Sequence, residues 1–157
     1  MTDAESTLQQ RNVAALTSEG RRGMEAMELE QGPVEACIAA CGNCSRVCLH
    51  HVRHCLEMGG EHADAAHIAM LLTCANVCRT AAELMSIDSE WYPTMCELCA
   101  QVCEECAEAC TAMDDMEDCV ATCRQCAQAC RKMVADIVTE EADALEGRES
   151  TTTETVN

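Results

Sequence analysis

Between residues 96 and 130 the chain carries Cys96, Cys99, Cys103, Cys106 and Cys110, then Cys119, Cys123, Cys126 and Cys130. Within each run the steps are three or four residues. That period keeps side chains on one stripe of an α-helix. An earlier run obeys the same rule: Cys37, Cys41, Cys44, Cys48, His51, Cys55 and Met58. Cys74 and Cys78 stand four apart between them. Thiolate is a soft ligand, suited to Cu(I), Zn(II) and iron–sulfur clusters. The chemistry on offer is repeated metal ligation. No acid–base pair, nucleophile constellation or phosphate loop stands out, so no enzyme is expected.

Packing alone is a poor account of these residues. A free Cys behaves as a small buried hydrophobe, which explains one or two positions but not sixteen. Zinc takes four ligands in a tetrahedron, usually from loops that adjust to it. Iron–sulfur cysteines also come mostly from loops. Here the spacing is helical throughout, and i,i+3 or i,i+4 pairs lie about 5–6 Å apart at Cβ. Two such sulfurs can approach one ion from opposite sides. The next rung is about 5 Å along the helix, from a rise of 1.5 Å per residue. Each Cu(I) entering such a stripe displaces one proton, so the core stays near neutral at any loading. Zn(II) held by four thiolates leaves a buried double negative charge, which is costly. Cu(I), with multiple ions per chain, is the expected metal. A zinc or mixed-metal thiolate buffer and an iron–sulfur electron-transfer protein remain the alternatives.

Helices must position these thiols. Gly32-Pro33 starts the first, which should run to about Met58 and stop at Gly59-Gly60. The second is predicted over about His62 to Ser86, with His67, Leu71, Cys74, Cys78, Ala81 and Met85 on its stripe. Asp88 or Ser89 is the expected cap of the third, whose stripe runs from Tyr92 through five cysteines to Met113. The fourth follows Asp114-Asp115, with Met116, four cysteines, Met133 and Ile137 in line. No strand signal is present. The connections are short, so the fold class is all-α, an up-down-up-down four-helix bundle with a Cys-lined core. Residues 1–31 are an N-terminal arm or short helix, 32–146 the metal-storage bundle, and 147–157 a Thr- and Glu-rich disordered tail.

A chain of 157 residues with 16 Cys could instead be a disulfide scaffold. Two features argue against it. Met1 to Gly20 contains no apolar run of a secretory signal, and Arg21-Arg22 is followed by acidic residues. The expected compartment is the cytoplasm, where thiols stay reduced. Helix axes in a bundle also lie about 8–10 Å apart, whereas a disulfide wants Cα atoms within about 7 Å. No uninterrupted apolar run of about 18 residues is present, so no membrane span is expected. A formal charge of −18 disfavours nucleic acid and anionic lipid as partners.

In this pattern the chain resembles the bacterial copper storage proteins, Cys-lined four-helix bundles that fill their cores with Cu(I). The likeness covers about residues 33–135. It is carried by Cys37-x3-Cys41-x2-Cys44-x3-Cys48 and by the runs in helices three and four. The absence of an export signal makes it similar to the cytosolic branch. The resemblance implies a homotetramer of bundles. The function expected is high-capacity storage and sequestration of Cu(I), delivered by a copper chaperone or a small-thiol carrier.

The two ends of such a bundle should differ. Cys55, Met58, His67, Met113 and Met116 gather at the end formed by the first and third turns, with His51 and His54 nearby. Imidazoles and thioethers bind copper, so His51, His54, Met58, His67, Met113 and Met116 are the expected metal entrance. Leu84, Ile87, Trp91, Tyr92, Val134 and Ile137 gather at the other end and are expected to plug it.

Overall fold

Residues 32–150 are described in this computed structural model. The expected N-terminal arm or helix and residues 151–157 lie outside them. Four helices follow one another: α1 (Pro33–Met58), α2 (Ala65–Ser86), α3 (Tyr92–Thr111) and α4 (Glu117–Ser150), with a 3-10 turn at Gly60–Ala63. Each helix packs on two neighbours, α1 on α2 and α4, and α3 on the same two. This is the up-down-up-down bundle predicted from the spacing. No strand occurs among the described residues.

The helix boundaries follow local chemistry. Gly59 and Gly60 take φ of +72° and +57°, the left-handed conformation that ends α1. The second helix was expected from His62 but begins at Ala65. Asp64 caps it, accepting from the backbone N–H of Ala66 at 2.9 Å and of His67 at 3.4 Å. Neither Asp88 nor Ser89 caps α3. Asp88 adopts φ +50° inside the turn, Trp91 occupies the cap position, and Pro93 sits in the first helical turn. The fourth helix was expected to end by residue 146, yet it continues through Gly147 to Ser150. A lone Gly costs a helix only about 1 kcal/mol relative to Ala, too little to stop it there.

The core is sulfur and alanine. All 16 cysteines are buried, free and at most 1% exposed. Ala75, Ala81, Ala100, Ala107 and Ala127 fill the spaces beside them. Leu71 is the one buried leucine among the described residues. The surface is acidic, laced by i,i+4 pairs such as Arg53–Glu57 at 2.8 Å, each worth a few tenths of a kcal/mol. Arg131 Nε bridges α4 to Glu104 of α3 at 2.9 Å. By length and composition one described helix, Ala65–Ser86, is apolar enough to cross a membrane. The sequence reading expected no such segment. Its hydropathy is that of a bundle wall, because His67, Leu71, Cys74, Cys78 and Met85 on it face the core.

Candidate metal centre

Each cysteine stripe faces the bundle axis, so sulfurs from different helices meet there. The shortest contacts cross between helices. Cys78 and Cys103 Sγ lie 3.4 Å apart, Cys41 and Cys130 3.5 Å, and Cys110 and Cys119 3.5 Å. Pairs along one helix are longer, 4.0 Å for Cys74–Cys78, Cys99–Cys103 and Cys119–Cys123. The sequence reading placed an ion between neighbours on one helix. The geometry instead brings thiols together from facing helices, because inward side chains converge as they leave their backbones. A metal–sulfur bond of about 2.3 Å places two ligands of one tetrahedral ion roughly 3.8 Å apart. The cysteine sulfurs already stand at that spacing.

The sulfurs form a ladder. Groups of four with all Sγ atoms within 4.8 Å of one another include Cys41/Cys99/Cys126/Cys130 and Cys78/Cys99/Cys103/Cys126. Next come Cys44/Cys74/Cys78/Cys103, Cys44/Cys48/Cys74/Cys123 and Cys48/Cys106/Cys119/Cys123. Each group shares two sulfurs with the next. The second helix supplies only Cys74 and Cys78, but these belong to the three central groups. Cys37 and Cys96 lie beyond one end of the ladder, and Cys55 and Cys110 beyond the other.

Protons are held unevenly along it. Contact with Cys126, then Cys130, keeps the Cys41 thiol well above the ordinary range. Cys103 is raised in the same way, first by Cys126. Burial pushes Cys55 up. At Cys119 the Cys106 contact pulls upward, but contacts from Cys110, Cys123 and Cys48 outweigh it and hold the thiol at about 5. Cys110 goes the other way, to about 12: Cys106 lowers it, while Cys119 and burial raise it further. Cys119 is therefore the favoured thiolate near its end of the ladder.

That end is where imidazoles gather. Cys55 Sγ lies 3.6 Å from His67 Nε2, 3.9 Å from His62 Nδ1 and 3.7 Å from Met116 Sδ. Burial lowers the pKa of His51 and His67, which favours the uncharged imidazole of each. His51 and His54 rings meet edge-on at 5.8 Å, and His54 and His62 at 6.3 Å. His51 Nδ1 and His54 Nε2 are buried without a hydrogen-bond partner. Of the entrance residues expected from sequence, His67 and Met116 touch Cys55. Met113 is half-buried against the core, and Met58 is 51% exposed. The sequence reading left out His62, whose only signal is its place in the turn leading to His67.

The far end departs from expectation. Ile87 and Trp91 were read as part of a plug but are 73% and 64% exposed. The turn carrying them includes Asp88 in a left-handed conformation, φ +50°. Tyr92, Val134 and Ile137 do pack against the core. What closes the axis is sulfur again: Met85 and Met133 are 4% and 2% exposed, and Cys96 Sγ lies 3.7 Å from Met85 Sδ.

A family model described as "Csp: Copper storage protein" matches residues 30–135. The chain belongs to the copper storage protein family. The Nmul_A1745 protein of Nitrosospira multiformis is 46% identical to it. The alignment covers 66% of this chain and 95% of that one, with a TM-score of 0.64. A Cu(I)-bound copper storage protein, BsCsp3, is 35% identical over 66% of this chain and 99% of its own, at a TM-score of 0.62. An uncharacterised cysteine-rich protein of Bacillus subtilis, YhjQ, is 37% identical over 80 residues, 51% of this chain and 74% of that one. The family match runs from just ahead of α1 into α4 and leaves out the last turns of that helix. It thus spans every cysteine of the chain.

Proposed function

We propose that this protein stores Cu(I) at high capacity in the cytosol, using all sixteen thiols as ligands. The observation that carries this is the sharing of sulfurs between successive four-sulfur groups. Closed zinc sites each need four thiolates of their own. A chain of groups joined by common edges suits an ion that accepts two or three sulfurs and lets each sulfur bridge. Charge favours the same ion, since each Cu(I) replaces one thiol proton and adds no net charge to a dry core. A Cu(I)-bound relative of the same fold supports the reading.

In this mechanism copper arrives on a chaperone or small-thiol carrier at the end marked by Cys55, His67 and Met116. Neutral imidazole and thioether groups hold the ion weakly. Cys119, the favoured thiolate, draws it inward, and each shared edge passes it to the next group by ligand exchange. Residues 32–146 act as the storage unit. The assembly is a homotetramer, as the family resemblance implies. Anaerobic Cu(I) titration followed by metal analysis tests the proposal. About 16 ions per chain, in a colourless protein, is the expected result, one per thiolate. Saturation at four or fewer overturns it. A brown protein with iron and sulfide, or preferential retention of zinc, places the chain in one of the two alternatives.

A further inference from the structure

We infer that the far pole of the bundle, where the first and third helices begin, holds a mixed thiolate–thioether Cu(I) site in which Met85 is a ligand. The inference rests on the storage reading and extends it to residues outside the cysteine set. Met85 Sδ lies 3.7 Å from Cys96 Sγ. Cys96 in turn neighbours Cys37 and Cys130, and Cys37 Sγ is 3.7 Å from Cys130 Sγ. The Met85–Cys96 spacing thus equals that of the thiol pairs along the ladder. It is also close to the roughly 3.8 Å between two sulfurs on one ion.

The position of this cluster gives the thioether a role. Inside the ladder every group borrows two sulfurs from the next. Cys37, Cys96 and Cys130 have no further thiols beyond them, so the terminal ion lacks the bridging partners that the inner ions have. Met85 stands on the open side. Its sulfur is soft enough for Cu(I) and carries no charge. It therefore completes the coordination without adding a buried anion. Cys37, Cys96, Cys130 and Met85 are all at most 4% exposed, and Met133, one turn beyond Cys130 on the same stripe, is 2% exposed. Water is kept from competing for the ion. As a plain filler Met85 would be matched by Leu. Leu lacks the sulfur that faces Cys96.

The full-length protein, labelled with 13C at the methionine ε-methyl groups, tests this during anaerobic loading with Cu(I). M85L identifies the Met85 resonance, and proximity to Cys96 identifies it independently should M85L fold poorly. M70L controls for the substitution itself, since Met70 is half-buried on the same helix and is not among its fully buried, inward residues. The Met85 methyl is expected to move to a new, saturable position as the protein fills. In M85L one ion should be surrendered to a Cu(I) chelator about tenfold more readily, the scale on which changes around a metal's ligands are felt. M70L should keep all its copper as tightly as the parent. A Met85 methyl that stays in place in a protein loaded to about 16 ions overturns the inference and leaves storage standing. So does an M85L protein that holds every ion as tightly as the parent. A chain that takes up four ions or fewer overturns storage and this site together.

Discussion

Replacing Cys103 with Ala separates a shared ladder from a set of closed sites. Cys103 Sγ lies 3.4 Å from Cys78, 3.8 Å from Cys74, 3.9 Å from Cys44 and 4.0 Å from Cys99. It belongs to two of the four-sulfur groups. If each ion replaces one proton and sulfurs bridge, the substitution removes one exchangeable proton and capacity falls by about one ion, from about 16 to about 15. If the groups were closed tetrahedral sites with no shared sulfur, Cys103 would serve one of them, that site would drop to three ligands, and about one of about four sites would be lost. Cys37→Ala provides the comparison, because Cys37 lies beyond the ladder's end and contacts Cys130 at 3.7 Å. The ladder gives the two variants the same small loss. Closed sites cost C103A a whole site, about a quarter of the copper, and cost C37A none where Cys37 stands outside them.

The cost in stability can be bounded from the same contacts. Cys103 is fully buried, and truncation to Ala removes one heavy atom. That forfeits about 1 kcal/mol of burial and packing, or roughly 4 °C in the apo melting temperature of a domain this size. Both variants therefore remain folded at room temperature, and their capacities can be compared directly. The assay is anaerobic titration against a chromophoric Cu(I) chelator, with copper and protein measured independently and the apo transition followed by circular dichroism. A C103A protein that loses about a quarter or more of its copper, while C37A loses none, refutes the shared-sulfur argument.

Three other outcomes follow from the structure. The apo protein should already give a helical circular-dichroism spectrum, because its core is a packed array of thiols and alanines; a largely disordered spectrum would make folding depend on metal, as in zinc fingers. Met116→Leu should slow uptake from a Cu(I) carrier while leaving capacity within an ion or so of the parent. Met58→Leu should change neither, because Met58 is 51% exposed; the reverse pattern would place the entrance elsewhere. Burial lowers His51 and His67 below the ordinary value of 6.5, so the unfolded chain binds more protons as pH falls through that value. The stability they contribute is complete above 6.5 and lost below it. The apo melting temperature should therefore fall less steeply on acidification in H51Q/H67Q than in the parent, and equal slopes would show that the two rings are not held neutral.

The fold was legible because steps of three and four residues admit one backbone. Thiols at Cys96, Cys99, Cys103, Cys106 and Cys110 can share a face only on a helix, and four such stripes bury themselves only by converging. Pairing was not legible. Whether Cys41 meets Cys130 or Cys37 is nearest depends on axial offset and rotation between α1 and α4, which no spacing within one helix encodes. The poles were misread for a related reason. Ile87 and Trp91 are large and apolar, so composition assigned them to the interior, but they sit on the exposed α2–α3 turn. Met85 and Met133 stood on the predicted stripes throughout. Their role depends on an end being closed, and closure is a property of four chain segments meeting. His62 could be placed only once the 3-10 turn brought it over Cys55.

The choice of sulfur and alanine has a consequence for loading. A Leu-rich bundle holds its helices apart with branched side chains that an ion would have to displace. Here narrow side chains let sulfurs from opposite walls approach to 3.4–4.0 Å, which is ordinary non-bonded contact and also about the separation of two thiolates on one metal. The same spacing therefore serves the empty and the filled core, and an ion replacing a proton requires little movement of the backbone. The larger buried side chains are kept to the poles. Met116 and Leu71 stand near the imidazole end, and Met85 and Met133 near the other. They exclude water from the column where it would otherwise open to solvent. Three of those four caps are thioethers, so the groups that keep the column dry are also groups that can hold Cu(I). Sealing the ends and passing metal through them are then compatible, which a plug of Leu and Trp would not allow.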